Sequence, residues 1–79
     1  MRHAKADDLD RIEPLLARLR TIEGLVERSR GTFYRKGRAL LHFHEDKGSI
    51  LADLKIDGVW HRYPATSSSE CEALPEKIG

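Results

Sequence analysis

The stretch Phe33-Tyr34-Arg35-Lys36-Gly37-Arg38-Ala39-Leu40-Leu41-His42-Phe43-His44-Glu45-Asp46 decides the fold. A basic Lys-Gly turn interrupts two runs in which apolar and polar residues alternate. A period of two is the mark of strands with one buried face, so the stretch reads as a β-hairpin. A three-residue loop Arg35-Lys36-Gly37, with Gly37 at the left-handed position, sets Tyr34 opposite Arg38 and Phe33 opposite Ala39. Phe33, Ala39, Leu41 and Phe43 then share one face. A two-residue Lys36-Gly37 turn would place Phe33 beside Arg38, Leu40 and His42, because a slip of one residue reverses every side chain. The three-residue loop is therefore the expected one.

Outward from the hairpin, the alternation runs on to Pro64. The connection around Glu45-Asp46-Lys47-Gly48-Ser49 brings Phe43 opposite Ile50, and Ile50, Ala52, Leu54 and Ile56 extend the apolar face. Asp57-Gly58 is a strong turn signal, and Val59-Trp60-His61-Arg62-Tyr63 follows as a last strand ended by Pro64. Its register has two solutions. A three-residue Ile56-Asp57-Gly58 loop sets His61 opposite Asp53 and Tyr63 opposite Leu51, with Trp60 in the core. A two-residue Asp57-Gly58 turn sends His61 inward and Trp60 outward. The first is preferred, because a small core accommodates an indole better than an imidazole.

Residues 7 to 24 read as an amphipathic helix. Leu9, Ile12, Leu16 and Leu19 recur at spacings of three and four, Leu15 and Ile22 widen the stripe, and Gly24 closes it. Asp7 or Asp8 caps its start. Pro14 is harmless in a first turn, but it would kink a helix that begins at Asp7. Leu25-Val26 should pack down behind the helix end. Ser67-x-x-Glu70 and Ser69-x-x-Glu72 are overlapping capping boxes ahead of a short helix over 70–78, which Pro75 could truncate. Residues 1–6 are expected to be disordered. The expectation is a single α+β domain over 1–79. An N-terminal amphipathic helix packs on a four-stranded antiparallel meander over 32–64, and a short C-terminal helix follows.

The chain has 79 residues, room for one modest core. Cys71 is its only cysteine, so no intrachain disulfide reinforces it, and a reducing compartment is expected. Apolar runs are too short to span a bilayer, and no apolar segment follows the charged Met1-Arg2-His3-Ala4-Lys5 start as a secretory signal requires. The expected address is cytoplasmic, with no membrane partner. The formal net charge is +1, which argues against a wholesale polyanion binder. Charge is segregated along the chain, however. Arg28, Arg30, Arg35, Lys36 and Arg38 cluster with no acid among them, whereas Glu70, Glu72 and Glu76 gather near the end.

On the preferred register the second sheet face carries Tyr34, Arg38, Leu40, His42, His44, Leu51, Asp53 and Lys55, joined by His61 and Tyr63. His42 and His44 alternate on a strand and point the same way, so the pair offers two ligands to one transition-metal ion, with His61 or Glu45 as a third. The competing reading is two solvated histidines, since no Cys pair or helical His-x-x-x-His supports a metal. Acid–base catalysis by His42 oriented by Asp53 is a further reading. The basic segment suggests phosphate contacts from Arg28, Arg30, Arg35, Lys36 and Arg38, with Tyr34, Tyr63 or an exposed Trp60 stacking on bases. Against it, those cations also solubilise a turn and pair with local acids. Tyr34, Leu40, His42, Leu51, Asp53 and Tyr63 form a half-apolar interaction face, suited to a homodimer, to another protein, or to cover by the C-terminal helix. No Gly-rich phosphate loop, nucleophile elbow or activated cysteine is present, so no catalytic residue and no cofactor is assigned.

The segment from Thr32 to Asp46, followed by Ala52-Asp53-Leu54, resembles a set of short uncharacterised bacterial proteins without established activity. That resemblance implies a bacterial, cytoplasmic origin. The order Leu25-Val26-Glu27, Phe33 and Gly37-Arg38-Ala39 is also similar to small YjbR-like proteins, in which a helix precedes a Gly-containing hairpin and an antiparallel sheet. This chain is shorter and has Arg38 where that pattern favours lysine, so the similarity implies a fold and no site residue. The function expected from the sequence is a non-enzymatic binding or interaction module. Weak nucleic-acid binding through the 28–38 segment and transition-metal binding through His42 and His44 are its alternatives.

Overall fold

Three tight turns build the sheet. Lys36-Gly37, Lys47-Gly48 and Asp57-Gly58 each put two successive residues at positive φ, 52° and 78°, 51° and 86°, and 52° and 80°. That is the type I′ turn, whose backbone twist matches the strands it joins. The computed structural model describes residues 1–78. In chain order its elements are β1 (Arg2–His3), α1 (Ala6–Arg11), α2 (Glu13–Leu19), β2 (Leu25–Ser29), β3 (Thr32–Arg35), β4 (Arg38–Asp46), β5 (Ser49–Ile56), β6 (Val59–Pro64) and α3 (Ser68–Ile78). The α+β class holds. The expected four strands become six, all antiparallel, in the order β2-β3-β4-β5-β6 with β1 pairing on β4.

Turn length changes the expected registers. The β3–β4 turn uses two residues, Arg35 facing Arg38, not the expected three. That register by itself would have carried Phe33 to the wrong face. Tyr34 pairs with Ala39 but Phe33 pairs with Leu41, so Leu40 is the extra residue of a β-bulge that restores Phe33 to the core. Ala39 is displaced from the expected core set, and Leu40 leaves the open face to pack against the core instead. Between β4 and β5, Phe43 faces Ala52 and Glu45 faces Ile50. That differs from the expected Phe43–Ile50 pairing by an even step, so every side chain keeps its face. Between β5 and β6 the difference is odd. Asp53 faces Arg62 and Leu54 faces His61, the two-residue solution. Trp60 therefore points outward, and His61 turns to the helix side of the sheet, where it stays exposed on an edge strand.

The expected helix over 7–24 is broken. Pro14 sits in the first turn of α2, and Ile12 between the two helices adopts φ −116° and ψ 20°. Proline has no N–H for the Asp10 carbonyl, so the chain restarts the helix there. Both halves still present one stripe: Leu9, Ile12, Leu15, Leu16 and Leu19 are all buried. Gly24, at φ 88°, opens a turn into β2 rather than capping a helix. Leu25–Ser29, expected to pack behind the helix end, is instead an edge strand on β3 that leaves Val26 exposed.

The first residues, expected to be disordered, take part in the sheet as β1. His3 pairs with His44, the Ala4 amide donates to the Phe43 carbonyl at 3.1 Å, and Arg2 bridges Asp8 at 3.0 Å and Glu45 at 3.1 Å. At the other end the Ser67-x-x-Glu70 capping box forms. The Glu70 amide donates to Ser67 Oγ at 3.2 Å, and Glu70 Oε1 accepts from the amides of Thr66 and Ser67. α3 continues through Pro75 to Ile78, its last turns held by buried Leu74 and Ile78. The buried residues Phe33, Leu41, Phe43, Ile50, Ala52 and Leu54 all face the helices, so all three helices cover one side of the sheet and leave the other open. No helix among the described residues is long and apolar enough to cross a membrane.

Candidate functional site: a histidine cluster on the open sheet face

His42 and His44 lie on one side of β4, as alternation requires, and β1 brings a third imidazole beside them. The ring centroids of His3 and His44 are 4.6 Å apart, and those of His42 and His44 are 4.8 Å apart. One ring nitrogen from each of His3, His42 and His44 lies within 4.8 Å of the other two. Trp60, opposite Lys55 on the outer face, packs its indole 4.9 Å from the His42 ring.

Asp53 lies beneath the cluster, 7% exposed, with Oδ2 at 3.0 Å from His44 Nδ1 and 4.0 Å from His42 Nδ1. The first separation is close enough for attraction, yet neither contact aligns as a hydrogen bond. The Nδ1 atoms of His42 and His44 are buried without a hydrogen-bond partner. Such orphans are rare in folded proteins, because a buried polar atom without a hydrogen bond costs free energy. The carboxylate's firm partner is Arg62, whose Nε and Nη2 donate to Oδ1 and Oδ2 at 2.8 and 3.1 Å. That guanidinium holds the Asp53 carboxyl below its ordinary range, with burial opposing. Burial, then the neighbouring His44, hold His42 below the usual imidazole value. His42 is therefore neutral at physiological pH and keeps a lone pair for a ligand.

The other expected residues divide. His61 is across the sheet from His42 and His44, beside Tyr63 with ring centroids 6.4 Å apart, and is no part of the cluster. Tyr63 likewise leaves the expected interaction face, packing against the core beneath the Lys77 ammonium, 4.9 Å from its ring. Leu51 remains on the open face, half-buried between its neighbours Ala52 and Ile50 on the core side. Arg30 is spent on Asp10 and Glu13, both at 2.8 Å, and Arg28 lies 4.5 Å above the Tyr34 ring. Arg35, Lys36 and Arg38 remain together at the hairpin tip, joined by Lys55 around a shallow basin. Burial pushes the Cys71 thiol up, which suits a packing role rather than a nucleophile. His42 and Asp53 stand farther apart than general-base catalysis uses.

Three residues of the site were not expected from the sequence: His3, Arg62 and the outward Trp60. The signal for Trp60 and Arg62 was the Asp57-Gly58 dipeptide, the preferred pair for a two-residue turn. His3 had none, because a two-residue strand carries no period. No known protein family, curated protein or solved structure matches the chain, so the site is read from its own geometry.

Imidazole nitrogens suit zinc, copper and nickel. Metal–nitrogen bonds of about 2.0–2.1 Å place tetrahedral ligand atoms roughly 3.3 Å apart. The three rings must therefore draw together from their 4.8 Å spread to hold one ion.

Proposed function

We propose that this protein is a non-enzymatic binding module that takes up a divalent transition-metal ion on its open sheet face through His3, His42 and His44. The observation that carries the reading is the convergence of three imidazoles where two buried Nδ1 atoms have no hydrogen-bond partner. Asp53 supports it, because a carboxylate beside a ligating imidazole fixes its tautomer and raises its basicity. Arg62 in turn keeps that carboxylate ionised and in place. Three protein ligands leave a fourth position for water or a donor from a partner.

The test is a zinc titration followed by histidine side-chain NMR and thermal unfolding. One equivalent should shift the His3, His42 and His44 ring signals, and free zinc at a hundredfold excess over Kd should raise stability by about 2.7 kcal/mol. His42→Ala/His44→Ala should abolish the response, and His61→Ala should leave it unchanged. A flat titration at stoichiometric metal would overturn the proposal, and so would a loss in His61→Ala equal to that in the double variant.

A further inference from the structure

The cations that the sequence gathers into one run do not share one role in the fold. Arg30 is neutralised on the helix side, together with Arg20, which pairs with Glu13 and Glu27. Arg35, Lys36, Arg38 and Lys55 form no ion pair among the described residues, and they line one shallow basin with Ala39, Leu40, Asp57 and Gly58. Asp57 is the sole acid on its rim. Four unpaired cations within one basin repel each other, an arrangement that an anionic ligand relieves. The basin adjoins an aromatic surface. Lys55 holds its ammonium 5.7 Å from the Trp60 ring, and that indole is 43% exposed on the open face.

We infer that this tip end of the sheet binds single-stranded nucleic acid, with backbone phosphates on Arg35, Lys36, Arg38 and Lys55 and an unpaired base stacked on Trp60. Charge complementarity supplies the backbone contacts, and the π-face of the indole supplies one that a bare polyanion cannot use. A base in a duplex is already stacked on its neighbours, so the indole selects a single strand. The inference is independent of the metal proposal, and working in excess chelator keeps the two apart.

Trp60 is the only tryptophan, so its fluorescence reports the contact directly. The wild-type protein is titrated with a thymidine oligonucleotide in EDTA at two salt concentrations. Emission should be quenched on binding. Four phosphate contacts on a single strand predict an affinity loss of about 50-fold between 50 and 200 mM salt. Arg35→Gln/Lys36→Asn/Arg38→Gln should bind more weakly and reduce that loss to about 3-fold, because one cation remains. Asparagine is chosen because position 36 sits at φ 52°, where it is tolerated. With a labelled oligonucleotide, Trp60→Leu should weaken binding about 10-fold by anisotropy. Absence of quenching at 50 mM salt, or affinity indifferent to salt, would overturn the inference. So would inorganic polyphosphate binding as tightly as the oligonucleotide at equal charge, which would mark a polyanion site without base recognition.

Discussion

Replacing Asp53 by asparagine tests the electrostatics that hold the open face together. The substitution keeps volume and shape but removes the charge. Asp53 is buried and receives one bond from Arg62 on each oxygen, with two imidazoles also against Oδ2. A hydrogen bond to a charged group contributes about 1.5–3 kcal/mol, and breaking a fully buried ion pair costs about 3–5. The Arg62 side chain is 48% exposed, so solvent screens much of its share and asparagine retains one acceptor. The expected loss at pH 7 is therefore about 1.5–2 kcal/mol.

The pH dependence gives this prediction its distinctive shape. Arg62 lowers the folded pKa of Asp53, so its stabilisation is complete above the unfolded carboxylate range. It fades only as pH falls below about 3.9 and through the lowered folded value. Between pH 7 and 5 the difference between wild type and Asp53→Asn should not shrink. Asp53 stays ionised across that range. As pH falls through the lowered folded value the difference should narrow toward zero. Urea unfolding in EDTA, followed by circular dichroism at pH 7, 5 and 3, measures it. A variant as stable as wild type at pH 7, or a deficit that is the same at all three values, would refute the reasoning.

Two further perturbations test the scaffold. Gly31 stands at φ 82°, and a Cβ there would meet Leu9 Cδ2 at 2.7 Å, so Gly31→Ala should lose about 1–3 kcal/mol by chemical unfolding. Ser67→Ala removes the hydroxyl that accepts from the Glu70 amide and should lower stability by about 1 kcal/mol. Adding Glu70→Ala to it should cost more again, because it also strips the Thr66 and Ser67 amides of their acceptor.

How far the sequence could be read depended on where burial constrained it. Phe33, Leu41, Phe43, Ile50, Ala52 and Leu54 were legible as one face because apolar residues alternate through them, and all six are in the core. Alternation defines parity and nothing finer, so the β4–β5 pairing could shift by two residues unseen. On β6 even parity was underdetermined. Trp60 and His61 are both exposed on this edge strand, so the core had no preference between them and the turn decided. Placing the indole in the core gave packing a vote it did not have. The bulge left one trace, the unbroken Ala39-Leu40-Leu41 run, where three apolar residues cannot all obey a period of two. His3 shows a different limit. The His-x-His pair on β4 was visible, but the third imidazole arrives by pairing Arg2–His3 across to Glu45 and His44. That pairing is secured by Arg2 reaching Asp8 on α1 and Glu45 on β4, contacts that tie the strand to both layers. The cluster is thus a tertiary product. If Arg2→Ala loosens β1, metal affinity should fall even though every histidine remains, whereas unchanged affinity would show that His42 and His44 bind without help from the amino-terminal strand.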